Sequence, residues 1–395
     1  VSLMDIVLEF DNRFQVGGAN SVGYAADPAP FVRHPGDYDK YPYQNVGDTL
    51  PAENSRQFII RWINWLGYAM DYDGVRLDAP KHVYKDFFGM PNQAEALRNQ
   101  TFIYNIQRNF KERRQGRTKN ASVAGMNFDE MYQNDIRRDS ALIYSEFFIG
   151  GVGEVDYWRN PADPNWGIKT RYLDFPRKKG MMNDAFNGGN LAALAGMSAF
   201  SPEEGVMFAH SHDEGPPSKL ELAYAYILTR IGVPVVYFSG NNLAQSQIGR
   251  VAGKNTWMEK GYDYALGDTV NGFQSTAIPN LIYIHNQFAR GKEFNRWSEG
   301  DYFAYERYDD LNNNGNPDSG EGLLLVALND SGNDITKGPI QTSFAPNTKL
   351  KDYTGRNPDT VTVNASGQVT VRVPGGGGQG FVCYAPFNAE APTGV

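Results

Sequence analysis

The stretch Gly74-Val75-Arg76-Leu77-Asp78-Ala79-Pro80-Lys81-His82 carries the strongest signal for both fold and chemistry in this sequence. A strand is predicted from Gly74 to Asp78, and Arg76 and Asp78 are two residues apart, so both project from the same face of it. A guanidinium beside a carboxylate stabilises the ionised form, which a nucleophile needs. In parallel barrels, polar residues at strand carboxyl ends usually belong to the active site, and a structural ion pair is the alternative interpretation.

Two further segments place a carboxyl group at the end of an apolar strand. In Tyr144-Ser145-Glu146-Phe147-Phe148 the carboxyl lies among aromatic residues. Such a setting raises the pKa of Glu146, as a general acid at neutral pH requires. The run Phe208-Ala209-His210-Ser211-His212-Asp213 ends a third strand in the same way. A solvated strand-end residue is the alternative for Glu146, and a helix N-cap is the alternative for Asp213.

Strands alternate with helices along most of the chain. Strands are predicted at residues 3–8, 74–78, 141–146, 171–175, 206–209 and 234–239, and helices at about 55–66, 94–114, 190–197, 219–231 and 278–289. This alternation predicts a parallel sheet with helical crossovers, and hence a barrel or a doubly wound α/β fold. Residues 11–53 predict a long irregular excursion. After about Gly300, short strands separated by Gly, Asn and Pro, at residues 302–308, 323–328, 361–363, 369–373 and 380–384, predict an all-β domain.

Together the three strand ends resemble the α-amylase family, glycoside hydrolase family 13. Residues 74–82 match its second signature region, Gly-x-Arg-x-Asp-Ala-x-Lys-His. Residues 208–213 resemble its fourth region, Phe-x-x-Asn-His-Asp, with Ser211 in place of Asn. The resemblance spans roughly residues 3–290. It implies an α/β fold, a (β/α)8 TIM-type barrel of which strands 3 to 8 are visible in this chain, with a C-terminal all-β sandwich domain.

The implied domain organisation has three parts. Residues 1–10 and 54–295 would form the catalytic barrel, residues 11–53 a loop-rich B-type subdomain, and residues 296–395 the C-terminal β-sandwich domain. An eight-stranded barrel that has only six strands keeps an open edge. We therefore expect the sequence to be part of a longer protein, or two strands to come from elsewhere.

The resemblance also implies a double-displacement mechanism. Asp78 would be the nucleophile that forms a covalent glycosyl intermediate, and Glu146 the acid that protonates the leaving oxygen and then activates water. Such a retaining pair lies ~5 to 5.5 Å apart. Asp213 would stabilise the oxocarbenium-like transition state. Asp5 matches the family's first region, whereas Glu9 and Phe10 replace its Asn and His. The implied substrate-binding residues are Arg76, His212, Lys81, His82 and Asp5.

A second motif predicts a calcium site in the β-domain. The run from Asp310 to Glu321 fits every ligand position of a twelve-residue EF-hand loop, and Gly315 supplies the sharp turn at position six. An Asn/Gly-rich hairpin turn is the alternative. The expected Ca²⁺ ligands are Asp310, Asn312, Asn314, Asn316 (through its carbonyl), Asp318 and Glu321. Because such a site fills best where calcium is abundant, we expect a secreted or periplasmic protein.

Composition limits the classes of partner. The net charge of -8 disfavours nucleic acid and anionic membrane surfaces. The 395-residue chain has one cysteine, so it can form neither an intramolecular disulfide nor a cysteine-based zinc site. Aromatic residues make up 13% of the chain. Flat aromatic faces can stack on sugar rings, although most aromatic residues belong to the core.

The sequence therefore predicts a retaining glycoside hydrolase whose partner is an α-1,4-linked glucan, such as starch or maltooligosaccharides. An α-glucan transglycosylase on the same scaffold is an alternative, because a sugar hydroxyl can intercept the covalent intermediate in place of water. A non-catalytic carbohydrate-binding relative is an alternative of another class. The presence of all three carboxylates argues against that last alternative.

Overall fold

The chain divides into two compact units. The first comprises residues up to 172 except 149–152, and the second comprises 149–152 and the residues from 173 onward. The computed structural model describes residues 59–60, 62–64, 66–67, 72, 74–82, 88, 102–103, 105–106, 109–110, 141–156, 170–196, 200–211, 213–236, 269–270, 273–274 and 277–387. The predicted strand at 3–8 and the predicted subdomain at 11–53 lie outside these residues. Within them, no helix is both long and apolar enough to cross a membrane.

The first unit contains parallel strands with helical residues between them. Strand β1 (Gly74–Leu77) pairs in parallel with β2 (Leu142–Ser145), and β2 pairs in parallel with the first residues of β3 (Arg171–Leu173). The described residues in 59–67 and in 102–110 are helical. One buried cluster joins helices and strands, and it consists of Ile60, Ile63, Leu77, Phe102, Ile103, Ile106, Phe110, Ala141 and Ile143. The predicted alternation of helices and strands is therefore present in this unit.

Gly74 begins β1 because the neighbouring strand approaches it closely. A Cβ atom at this position would lie 2.1 Å from the carbonyl oxygen of Leu142. No other residue fits there without pushing β1 away from β2. The glycine thus keeps the two strands, and the residues that follow them, side by side.

The second unit contains a further strand, helix and strand. Strand β4 (Gly205–Phe208) pairs in parallel with β5 (Val233–Val235). Between them lies a helix, Leu220–Thr229, every residue of which is buried. The backbone N–H of Asp174, directly after β3, donates a hydrogen bond to the Val206 carbonyl at 2.9 Å. A short antiparallel pair follows in the chain, formed by β6 (Thr269–Val270) and β7 (Phe273–Gln274).

The segment between β3 and β4 differs from the prediction. The α-helix predicted at 190–197 is a 3₁₀-helix, Leu191–Ala195. Gly189, with φ of 76°, and Gly196 flank this run and leave too few residues for a stable α-helix. Two elements that the sequence did not predict precede it, a π-helix at Arg177–Met182 and a single α-helical turn at Asn183–Phe186. The π-helix carries a buried lysine, Lys178, which interacts electrostatically with His210, just after β4.

The last part of the second unit is an antiparallel β-sheet domain. Its six-stranded sheet has the order β13-β12-β15-β10-β9-β8, and β11 pairs with β14 beside it. These strands are β8 (Lys292–Ser298), β9 (Tyr302–Tyr308), β10 (Gly322–Asn329), β11 (Ile335–Gln341), β12 (Lys349–Asp352), β13 (Val361–Thr362), β14 (Gln368–Val373) and β15 (Gly380–Pro386).

Both faces of the central strands β9 and β10 are buried. Phe303 and Tyr305 belong to a core shared with the helices Leu220–Thr229 and Ala277–Phe288. Tyr302 belongs to a second core with Val371 of the β11–β14 pair. Double burial explains why β9 and β10 have the near-continuous apolar runs that made them predictable. Strands β8, β11 and β12 were not predicted, because their polar sequences become strands through pairing rather than through propensity.

Candidate active site

Asp78 and Glu146 follow neighbouring strands at the same level. Arg76 is in register with Tyr144, and Leu77 is in register with Ser145. The backbone N–H of Glu146 donates to the Leu77 carbonyl at 2.8 Å, which extends the pairing one residue past the strands. Parallel pairing therefore brings together two carboxyl groups that are 68 positions apart in the sequence.

Arg76 contacts both carboxyl groups. Its Nη2 lies 3.3 Å from Oδ1 of Asp78 and 2.6 Å from Oε2 of Glu146. The Asp78 side chain is 75% exposed, whereas that of Glu146 is 12% exposed. Arg76 thus forms ion pairs with one exposed carboxyl group and with one that is largely buried.

The two carboxyl groups differ in electrostatic setting. Burial raises the pKa of Glu146, a side-chain hydrogen bond to Asp78 raises it further, and Arg76 opposes both effects. The next residue, Phe147, is buried, and its ring centroid lies 5.7 Å from that of Tyr172. The rise that the aromatic context predicted is present. Glu146 therefore has the raised pKa that a general acid at neutral pH requires.

The backbone directly after Asp78 is strained. Ala79 has φ of 43°, in the left-handed region that residues with a side chain rarely adopt. This conformation turns the chain into the short 3₁₀-helix Pro80–His82. Lys81 is exposed in that helix. The turn ends β1 abruptly and leaves the Asp78 side chain open to solvent.

The other predicted site residues are spread over the chain. Asp213 belongs to the second unit, where it is exposed in the segment between β4 and the helix Leu220–Thr229. Its convergence with the pair in the first unit stays a prediction. Asp5 and His212 lie outside the described residues, as does the side chain of His82.

Sequence reasoning missed a buried lysine in the second unit. Lys178 is 2% exposed in the π-helix after β3. Burial lowers its pKa to about 8, although the charge of Glu214 opposes the change. His210 is also buried, and burial followed by the charge of Lys178 lowers its pKa to about 4. The signal in the sequence was the basic run Arg177-Lys178-Lys179 close after an apolar strand.

Most hydrogen bonds to the carboxylate oxygen atoms of the predicted calcium loop come from the loop itself. Asp318 Oδ2 accepts hydrogen bonds from the side-chain amides of Asn312 (2.8 Å) and Asn314 (2.7 Å). Asp310 accepts from the backbone N–H groups of Asn314 and Gly315, both at 2.9 Å, and from Lys292 at 2.5 Å. That ammonium group lowers the pKa of Asp310. No group of three or more His, Cys, Asp or Glu side chains among the described residues is placed to hold a metal ion.

The β-sheet domain matches a known family. Residues 324–381 match the family model of the alpha-amylase C-terminal domain. This range extends from β10 to the start of β15. The resemblance to the α-amylase family is thereby confirmed for the C-terminal domain.

Solved structures similar to this chain are α-amylases and a related transferase. An alpha-amylase from Malbranchea cinnamomea matches with a TM-score of 0.52 at 14% identity, covering 86% of this chain and 61% of that one. A cyclomaltodextrin glucanotransferase with a three-domain ABC distribution matches with a TM-score of 0.49 at 20% identity, covering 86% of this chain and 62% of that one. Alpha-amylase I from Eisenia fetida, in complex with maltohexaose, matches with a TM-score of 0.48 at 18% identity, covering 84% of this chain and 64% of that one. The chain thus spans about three fifths of the length of these structures.

The likeness to the Malbranchea cinnamomea enzyme shows the fold. The parallel strands with helical crossovers, followed by the antiparallel sheet domain, correspond to a (β/α)8-type barrel with a C-terminal β domain. The predicted fold class is confirmed.

Proposed function

We propose, from an α-amylase fold that carries an α-amylase C-terminal domain, that this chain is a retaining glycoside hydrolase of α-1,4-linked glucans. The observation that carries the proposal is the contrast between Asp78 and Glu146. The enclosed Glu146 has a raised pKa, the exposed Asp78 lies beside it, and Arg76 contacts both carboxyl groups. A protonated acid next to an ionised carboxylate is what double displacement needs.

The reaction follows from these roles. Glu146 donates its proton to the glycosidic oxygen as the bond from that oxygen to C1 breaks and an Asp78 oxygen bonds to C1. In the second step a water molecule attacks C1, Glu146 accepts a water proton, and the bond from Asp78 to C1 breaks. Retaining catalysis needs the two carboxyl groups ~5 to 5.5 Å apart. Arg76 would orient Asp78 during both steps.

The remaining residues are proposed to bind the sugar. Asp213 would stabilise the positive charge that develops at C1, and His212 would hold sugar hydroxyl groups. Lys81 and His82 would contact a neighbouring glucose unit, and Asp5 would complete the site. Lys81 is exposed two residues after the strained Ala79, a position that suits this role.

The test is the substitution Asp78→Asn, assayed on maltooligosaccharides. We expect turnover to fall by roughly 1,000-fold or more, the scale seen when a covalent nucleophile is removed. Binding of a non-hydrolysed oligosaccharide should persist. The matched control is Asp184→Asn, an exposed aspartate of the second unit, which should keep parental turnover. Parental turnover in D78N would contradict the proposal.

Product analysis with the parent chain separates the alternatives. Shorter maltooligosaccharides that initially have the α configuration support retaining hydrolysis. Oligomers longer than the substrate support transglycosylation instead. A parent that binds the oligosaccharide without turning it over, with the same affinity as D78N, is a carbohydrate-binding protein.

We also propose that the loop from Asp310 to Glu321 binds Ca²⁺. Its donor set consists of oxygen atoms, which calcium prefers, and includes Asp318, on which two asparagine amides converge. Tyr308 donates to the Gly315 carbonyl at 2.9 Å, which ties the loop to β9. Calcium would have to displace Lys292 from Asp310. A calcium-loaded loop suits a secreted or periplasmic protein, which we propose this to be.

Calcium binding predicts a change in thermal stability. Adding Ca²⁺ to the chelated chain should raise the melting temperature, because a ligand that binds the folded state stabilises it. Asp318→Asn should abolish this rise. The control, Asp334→Asn, removes an exposed carboxylate from the same domain and should preserve the rise. An identical melt in EDTA and in excess Ca²⁺ counts against the site.

A further inference from the structure

The segment that carries Asp213 is closed by the side chain of Ser211. Its Oγ accepts a hydrogen bond from the backbone N–H of Asp213 at 3.2 Å and another from that of Glu214 at 3.1 Å. The backbone N–H of Ser211 donates to the Glu214 carbonyl at 2.8 Å. One hydroxyl oxygen thus satisfies two successive backbone donors and holds the backbone at Asp213 and Glu214.

The two ends of this turn are anchored to different elements. At the end of β4, buried His210 contacts the hydroxyl of Tyr224 through Nδ1 at 3.2 Å, and its ring stands nearly perpendicular to the tyrosine ring. At the other end, the Glu214 carboxylate lies 3.4 Å from the ammonium group of Lys179 in the π-helix. The strand end and the carboxylate after Asp213 are both held, and the backbone of Asp213 is held by the turn between them.

We propose that Ser211 is a positioning residue for Asp213, whose backbone it holds through its hydroxyl group. The inference rests on the proposed function and deepens it. Ser211 stands where the motif Phe-x-x-Asn-His-Asp has Asn. A serine hydroxyl and an asparagine amide oxygen can both accept hydrogen bonds from backbone N–H groups two or three residues ahead. The departure from the motif therefore preserves the bonding that the turn requires.

The consequence for catalysis is specific. Charge at C1 develops in the transition state, so a carboxylate that stabilises it is effective only when it is fixed in advance. A turn without its central acceptor leaves Asp213 on a mobile backbone. Loss of the hydroxyl should consequently lower kcat while KM changes little.

The experiment compares Ser211→Ala, Ser211→Thr and Ser211→Asn in the full chain. We expect kcat on maltooligosaccharides to fall about tenfold in S211A, a change that corresponds to about 1.4 kcal/mol in the activation barrier. S211T and S211N keep an acceptor oxygen and should stay near the parent. The matched control is Ser331→Ala, which removes a hydroxyl that accepts the Asn333 backbone N–H at 3.2 Å in the β-sheet domain. It should keep parental kcat.

Amide hydrogen exchange provides a readout that does not depend on turnover. The N–H groups of Asp213 and Glu214 should exchange faster in S211A than in the parent, and S211T should restore their protection. If the parent exchanges as expected but turns over no glucan, the proposed function fails and the turn assignment stands. Parental kcat in S211A, or unchanged exchange at the two amides, overturns the inference. So does a loss of activity in S211T as large as that in S211A when both melt like the parent.

Discussion

Arg76 acts on two carboxyl groups at once. It provides a cation beside Asp78, and it lowers the pKa of Glu146 against the effects of burial and of the hydrogen bond between the carboxyl groups. An arginine at this position therefore keeps the acid from holding its proton too tightly. Because a guanidinium presents several N–H donors in one plane, it can serve both groups without moving.

Replacing Arg76 by Met should move the pH profile of the enzyme. Activity requires protonated Glu146, so it is lost as pH rises through the pKa of that group. Removing the cation raises this pKa further, and the basic limb of the profile should shift upward by about one pH unit. We expect kcat to fall as well, because Asp78 loses its partner. The measurement is kcat/KM against pH.

Arg76→Lys is the matched variant, since it keeps the positive charge but loses the planar guanidinium group with its several N–H donors. Its basic limb should lie between those of the parent and R76M. A basic limb that moves to lower pH in R76M would show that Glu146 is not the acid.

The π-helix at Arg177–Met182 carries two lysines that differ in burial. Lys178 is buried beside His210, whereas Lys179 is partly exposed and pairs with Glu214. Burial of an ammonium group costs free energy, which appears here as the lowered pKa of Lys178. The element is therefore less stable than an apolar helix of the same shape would be.

Lys178→Met should stabilise the protein at neutral pH. The pKa of Lys178 falls from an ordinary 10.5 to about 8 on folding, so the unfolded chain binds more protons between these values and the parent gains stability as pH rises through that window. The shift corresponds to about 3 kcal/mol of destabilisation at pH 7. The substitution should recover much of this and flatten the dependence of stability on pH between 8 and 10.5.

Denaturant melts at pH 7 and pH 10 measure both effects. Lys179→Met is the control, because its side chain is partly exposed and loses an ion pair, so it should give no gain at pH 7. A K178M variant less stable than the parent at both pH values would contradict the assignment of burial as the dominant cause.

Among the secondary-structure elements, the sequence predicted those that depend on a local pattern of apolar residues. The helix at 219–231 and the strand at 302–308 were predicted almost to the residue, because each is apolar and bounded by turn residues. The π-helix and strand β8 were not predicted, since a helical irregularity and a polar edge strand depend on neighbours that are distant in sequence. The same limit applies to the site. Spacing predicted that Arg76 faces Asp78, but the contact of Arg76 with Glu146 depends on strand register.

For the whole molecule, the C-terminal domain is not a detached module. The core beneath its sheet includes Tyr305, which contacts the hydroxyl of Thr229 at 2.5 Å and packs against Tyr226. Arg230 forms an ion pair with Glu293 in the same region. Because this core belongs jointly to helices and sheet, the sheet domain and the preceding helices should fold as one cooperative unit.

Truncation tests this cooperativity. A chain that ends at residue 290 would expose the buried faces of the helices Leu220–Thr229 and Ala277–Phe288, and we expect it to aggregate or to lack a cooperative melt. Tyr305→Phe in the full chain removes the hydroxyl contact while keeping the ring, and should cost about 1 kcal/mol in a single unfolding transition. The matched control Tyr283→Phe changes an exposed tyrosine and should leave stability unchanged. A truncated chain that stays soluble and melts cooperatively would mean that the helices form their core without the sheet.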